Sequence, residues 1–294
     1  MAIGTGESDW RISEVAVAGR YRFGIACGDE ATPETDPVAY SYRVGSLDHL
    51  ATLNELSLAV LKPGQRVLDL GAHLGGFSLL AAAVGCEVLA VEASARNANL
   101  LRKSAEHGHF RKLEIVQAAV SDRRGTLQFT SDGPYGHVST AADEEDDFTD
   151  DDITTVAAVT VDDLLTERNW QATDFVKLDV EGSEVRAVVG MNRLLARANG
   201  PIVFFESNVH TLGFYNETHG RLKSAFHRHG YTVYAVKPGR LELWRNGDDQ
   251  EETVMDFLAV RKLPPELESW LPPAPPSLLT RVRQKISRMA HRTR

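Results

Sequence analysis

Val67-Leu68-Asp69-Leu70-Gly71-Ala72-His73-Leu74-Gly75-Gly76-Phe77-Ser78 reads as a short apolar strand, a glycine turn and the first turn of a helix. Glycine at such a turn lets the backbone come close to a ligand before the helix begins. Glu92 closes the next apolar run, Val88 to Val91, about 20 residues further on, where an acid can bind both hydroxyls of a ribose. A dinucleotide site expects G-x-G-x-x-G, with pyrophosphate on the helix N-terminus. Here the spacing is Gly71-x-x-x-Gly75-Gly76, with the acid Asp69 just before the first glycine. An acid there suits a cofactor with a cationic amino-acid end, which needs oxygens in place of anion-binding amides. S-adenosylmethionine has that character.

Working outward, the same alternation repeats. Val67–Leu70, Val88–Val91, Leu113–Val116, Phe175–Leu178 and Ile202–Phe205 are continuous apolar strands, with helices expected at 77–84 and 97–106. Strands without polar alternation, separated by helices, indicate a parallel sheet covered on both faces. Shorter strands are expected at 126–130 and 153–160. The last strands, 231–236 and 254–260, are separated by the strand-like 241–244 and a turn at Asn246-Gly247. A late hairpin of this kind places an antiparallel strand in the parallel sheet. Ahead of the core, 15–17 and 21–23 form a hairpin pattern around Gly19-Arg20, and 46–60 reads as a helix with Leu47, Leu50, Leu53, Leu56 and Val60 on one face.

The chain of 294 residues carries a net charge of -9, which argues against nucleic acid as a partner. No apolar run approaches the ~20 residues of a membrane span, and the start does not read as a signal peptide. Cys27 and Cys86 make neither a metal pair nor a disulfide framework, so a cytoplasmic protein is expected. Eight of the residues 143–152 are acidic, which reads as a solvated loop. Prolines at 264–265 and 272–276 form a stiff linker to a tail whose charges are all basic, suited to a peripheral contact or a homo-oligomer. The expected division is an extension over 1–60, a catalytic domain over 61–262, and a linker and tail over 263–294.

The wider set of motifs resembles the FkbM-type methyltransferases, within the class I S-adenosylmethionine-dependent enzymes. It comprises Leu61-Lys-Pro-Gly64, Asp69-Leu-Gly71-Ala-His-Leu-Gly75, Val91-Glu92, Ala119-Val-Ser-Asp122, Thr160-Val-Asp-Asp-Leu-Leu165, and above all Val176-Lys-Leu-Asp179-Val-Glu181-Gly182-Ser-Glu184. The last is similar to the family's K-x-D-x-E-G-x-E signature. The resemblance implies a doubly wound, Rossmann-like α/β fold with a seven-stranded sheet of order 3-2-1-4-5-7-6, and S-adenosylmethionine as methyl donor. It further implies that Asp69, Gly71 and Gly75 lie along the methionine end and Glu92 at the ribose; His73, in the same loop, is a further expected cofactor-binding residue. Ser121 and Asp122 would lie near the adenine, and Asp179 and Glu181 at the transferring methyl. The family usually has Asn where this chain has His73.

Methyl transfer from a sulfonium needs an aligned acceptor and, for a hydroxyl, a proton acceptor. Asp179 and Glu181 are the expected catalytic acids, and His137 is the loop histidine expected to reach the same rim. Glu184 is expected in a surface or inter-helix pair. Asp179, Glu206 and Asn208 form a minority set of oxygen ligands for a divalent cation such as Mg²⁺. O-methylation of a hydroxyl on a sugar or secondary metabolite is the favoured reaction. An N-methyltransferase, a nucleotide-cofactor oxidoreductase and a non-catalytic cofactor-binding module are the alternatives.

Overall fold

The computed structural model describes residues 10–130, 137–138, 153–245 and 254–273. The acidic loop 143–152, the Asn246-Gly247 turn and the basic tail lie outside the described residues.

The N-terminal region begins with an antiparallel hairpin, β1 (Trp10–Val17) and β2 (Tyr21–Gly28). Its turn uses left-handed φ at Ala18 and Gly19, as a tight reversal requires. Next comes α1 (Pro37–Arg43), with Pro37 at its first position and the Asp36 carboxylate accepting from the Ala39 amide at 2.7 Å. The helix expected over 46–60 is shorter, a 3₁₀ turn at Asp48–Leu50 leading into α2 (Ala51–Val60). The hairpin lies on the helices of the core domain, where the Ser104 hydroxyl accepts from the Ala26 amide at 2.7 Å.

The core domain runs β3 (Arg66–Leu70), α3 (Gly76–Val84), β4 (Glu87–Glu92), α4 (Ala95–His107) and β5 (Leu113–Gln117). A side layer follows: β6 (Ala119–Val120), β7 (Gly125–Thr130) and β8 (Ile153–Val159), joined in a separate sheet of order β6-β8-β7. Then come α5 (Val161–Glu167), β9 (Phe175–Leu178), α6 (Glu184–Gly190), α7 (Asn192–Leu195) and β10 (Ile202–Asn208). The chain continues through α8 (Val209–Phe214), α9 (His219–Arg228), β11 (Thr232–Lys237), β12 (Arg240–Leu243) and β13 (Val254–Val260).

The main sheet is mixed and eight-stranded, in the order β12-β11-β13-β10-β9-β3-β4-β5. The expected count of seven is therefore corrected by one. The extra strand is β12, which pairs antiparallel with β11 at the sheet edge, Tyr234 opposite Leu243. Strands β5, β4, β3, β9 and β10 are parallel, and β13 runs antiparallel to both β10 and β11. Apolar layers cover both faces: Phe77 and Phe175 meet at 5.6 Å on one, and Phe205 stacks on Phe226 at 4.6 Å on the other. Full burial of such a ring contributes roughly 1.5–3 kcal/mol. No helix among the described residues is long and apolar enough to cross a membrane.

Candidate functional site

A cavity of about 360 Å³ opens at the carboxyl ends of β3, β4, β9 and β10, where ligands bind in sheets of this kind. Its floor rests on a single close approach. Gly71 leaves β3 at φ 78°, and a Cβ there would sit 1.7 Å from the Asp179 carbonyl oxygen. Only glycine lets the ends of β3 and β9 come this close.

A buried charge cluster lines the cavity beside this floor. Lys177 is the one charged residue in the otherwise apolar strand β9, and all four positions of that strand are buried. Its ammonium donates to the Gly71 carbonyl at 2.8 Å and pairs with Asp179 at 3.1 Å and Asp69 at 3.5 Å. Burial alone would lower its pKa; Asp179 and Asp69 outweigh that and hold the ammonium above its ordinary range. Asp69 is wholly buried, which raises its pKa, while Lys177 and the Ser78 hydroxyl at 2.6 Å oppose the shift. The motif fixes the lysine's place in the sequence, and the buried cluster supplies its role.

On the β4 side, Glu92 is fixed by two backbone amides: Oε2 accepts from His73 at 2.7 Å and Oε1 from Ser94 at 2.8 Å. Burial raises its pKa, and the two amides act against that rise. A carboxylate has about four lone-pair sites, so acceptor capacity remains for hydroxyls presented from the cavity. His73 itself has a left-handed φ of 51°, and both ring nitrogens are buried without a hydrogen-bond partner. Burial first, then Lys177, lowers its pKa to about 3, so the ring is neutral. Buried polar atoms without partners in a cavity wall fit a site made for a polar ligand.

The β9–β10–β13 side is acidic. Asp179, Glu181, Glu206 and Asp256 all face the cavity. Glu206 and Asp256 stand directly opposite one another on β10 and β13, an arrangement of like charges that destabilises a sheet. Burial, then Asp179, pushes the Asp256 carboxyl up to about 6. Burial is also the main cause of the upward shifts at Glu206 and Glu181, reinforced by the neighbouring carboxylates. Glu181 is presented by a left-handed turn, φ 50° at Glu181 and 96° at Gly182. That turn is tied by Glu184, whose Oε1 accepts from the Val180 and Gly182 amides at 3.0 and 3.1 Å. Glu184 is thus a buried turn clamp, and the expected surface or inter-helix pair is not formed; burial raises its pKa to about 7.

His137 also lines the cavity, facing it from the side layer. It is buried, lies 3.1 Å through Nδ1 from the Thr130 hydroxyl, and stacks on Phe214 at 5.1 Å. Gly75, Ser121 and Asp122 are not brought to the cavity wall. Gly75 caps α3 in the left-handed conformation, and the Ser121 hydroxyl turns to Asp122 at 3.1 Å. The apolar part of the wall near the end of β5 is formed by Ala118, Ala119, Val120 and Phe129. The Asp179, Glu206 and Asn208 set does not form a metal centre. Asn208 Oδ1 accepts from the His210 amide at 3.0 Å to cap α8. Among the described residues, no group of three or more His, Cys, Asp or Glu could hold a metal ion.

Sequence reasoning missed Tyr42, His49, Asn97 and Asp256, which all line the cavity. For Asp256 a signal existed, an acid inside the apolar run Val254–Val260; for Tyr42 and His49 there was none.

Comparison with solved structures returns methyltransferases at low identity. Precorrin-6y C5,15-methyltransferase from Geobacter metallireducens is 15% identical, with 72% of this chain and 88% of that one covered at a TM-score of 0.40. The 16S rRNA N2 G1207 methyltransferase of T. thermophilus is 20% identical, covering 86% of this chain and 51% of that one at 0.42. A TehB-like SAM-dependent methyltransferase from Corynebacterium glutamicum is 11% identical, covering 76% and 93% at 0.42. No curated protein matches. The decisive match is a family model, described as Methyltransferase FkbM domain, over residues 69–233, a stretch that holds the glycine loop, Glu92 and the turn that Glu184 clamps. More than half of the chain is matched, and the chain belongs to the FkbM methyltransferase domain family.

Proposed function

We propose that the chain is an S-adenosylmethionine-dependent methyltransferase that methylates a hydroxyl of a small molecule, a sugar or a secondary metabolite. The observation that carries this reading is the cavity over Gly71, with an amide-fixed Glu92 at one end and Asp179 and Glu181 at the other. Family membership supports the chemistry, and the hydroxyl acceptor follows from the resemblance to enzymes that modify sugars and secondary metabolites. Residues 61–262 are the proposed catalytic domain, with 1–60 and 263–294 as additions to it.

Bound in this cavity, S-adenosylmethionine supplies a methyl carbon already activated by its sulfonium. The protein's part is to align, exclude water and manage one proton. Glu92 accepts from the ribose hydroxyls while its two amides keep the carboxylate in place. The loop Asp69–Gly75 borders the methionine end, and Ser121 and Asp122 follow the apolar wall that suits an adenine. Asp179 orients the reacting end. Glu181, whose carboxyl burial pushes up to about 8, takes the acceptor's proton in its ionised form, and His137 is the second candidate base.

The test is calorimetry with S-adenosylhomocysteine and with NADH, followed by an acceptor screen with labelled donor. The expected outcome is binding of the first ligand only and label transferred to a hydroxyl. Binding of NADH alone would replace the reading with an oxidoreductase. Cofactor binding without turnover on any acceptor would leave a binding module. The acidic side of the cavity favours one second reading, an amine acceptor, and amines in the same screen decide it.

A further inference from the structure

Residues ahead of the family match at 69 build one wall of the cavity. Val38, Tyr42, His49, Leu50 and Leu53 come from α1, the 3₁₀ turn and α2. The polar part of this wall is a short chain of hydrogen bonds. The Ser41 hydroxyl donates to the Val38 carbonyl at 2.8 Å, so at 3.0 Å from Ser41 it is His49 Nδ1 that donates. His49 Nε2 is then the acceptor for the Tyr42 hydroxyl at 3.1 Å. A neutral imidazole with its proton on Nδ1 satisfies both contacts. With its proton given to His49, the Tyr42 oxygen offers lone pairs to a donor.

The position of Tyr42 is set by the glycine loop. A Cβ at Gly76 would lie 2.6 Å from the Tyr42 hydroxyl, so the absence of a side chain there is what lets the phenol reach the first turn of α3. The His73 ring lies 6.3 Å from the Tyr42 ring; neither of its nitrogens is hydrogen-bonded, and Nε2 is 3.9 Å from Asp36 Oδ2. The start of α3 has no side-chain cap. Tyr42 and His73 thus bring acceptors and one N–H, all on uncharged rings, over the loop that precedes α3. Uncharged rings add no repulsion toward a sulfonium.

We propose that Tyr42, held by His49, and His73 seat the zwitterionic amino-acid end of the cofactor, the phenolic oxygen accepting from its ammonium and the imidazole N–H donating to its carboxylate. The N-terminal segment is therefore part of the cofactor site. The inference rests on the methyltransferase reading above, and its test separates the two.

The experiment is calorimetry with two ligands, S-adenosylhomocysteine and 5′-methylthioadenosine, which keeps the nucleoside and lacks the amino-acid end. Tyr42→Phe is expected to weaken S-adenosylhomocysteine by about tenfold to a hundredfold, the loss of one hydrogen bond to a charged group. Its affinity for 5′-methylthioadenosine is expected to stay within twofold. His49→Leu, which removes the anchor of the phenol, should give the same selective loss at about threefold, and it stands in if Tyr42→Phe does not fold. Equal weakening of both ligands, or no weakening of either, overturns the assignment while leaving the methyltransferase reading in place. Failure of the unaltered protein to bind S-adenosylhomocysteine overturns both.

Discussion

The two ends of the cavity hold their acids by opposite means. Glu92 is set by backbone, one amide from the glycine loop and one from the start of α4. Glu206 and Asp256 are set by register, facing each other across β10 and β13 with no hydrogen bond or ion pair among the described residues. The first arrangement fixes a carboxylate as an acceptor before any ligand arrives. The second leaves carboxylates whose charge is disfavoured, first by burial and then by neighbouring acids such as Asp179, so both are shifted upward. One end presents a fixed acceptor, and the other presents carboxylates whose charge is costly.

Closing the floor that joins the two ends should have the largest effect. Gly71→Ala puts a methyl into the Asp179 carbonyl at a left-handed φ, so a loss of about 3 kcal/mol or more is expected in denaturant unfolding. An unchanged midpoint would show that β3 and β9 can part without harm. At the fixed end, Glu92→Gln keeps the shape and removes the charge. Its affinity for S-adenosylhomocysteine should fall by ~1–3 kcal/mol in calorimetry, with little change in turnover at saturation. At the other end, Asp179→Asn should lower turnover at least about tenfold while Lys177 keeps Asp69 as partner, so melting should fall by only a few degrees. Normal turnover in the folded variant would end the catalytic assignment.

The smallest effect tests the titrating end by pH. Asp256 has a folded pKa of about 6 against an ordinary 3.8, and Glu184 about 7 against 4.5. Groups raised in this way give stability that is full below the lower values and lost as pH rises through the upper ones. Melting temperature should therefore decline between about pH 4 and pH 7. Burial pushes the Glu206 carboxyl up to about 10, so it must take up a proton to stay buried; Glu206→Gln is neutral without one, so it should flatten that decline and raise melting at pH 8 by ~2–4 °C. A flat profile in the unaltered protein would show that the acids do not titrate there.

The contrast between the ends also decided what could be read from the chain. Gly71, His73 and Glu92 were legible because a strand, a turn and a strand end fix them within a short stretch. Asp179 and Glu181 were legible for the same reason, and Glu184 was seen but misassigned, since a side chain that returns to its own turn leaves no periodic trace. Glu206 against Asp256 depends on an antiparallel pairing across the whole of α8, α9 and the late hairpin, which no local pattern specifies. The eighth strand teaches a different lesson. Residues 241–244 read as a strand on their own pattern, and the count of seven came from the resemblance. For α1, the Asp36-Pro37 start was a readable signal.

The cavity takes Tyr42 and His49 from one side of the matched stretch 69–233 and Asp256 from the other. Its walls therefore close only when segments more than two hundred positions apart have met, and loop closure over such spans opposes folding before any contact repays it. A ligand held by all these walls binds only the assembled chain, and its binding energy is added to the stability of the whole. Occupancy thus doubles as a quality check: a chain damaged at either end loses its partner molecule together with the protection that molecule confers against unfolding.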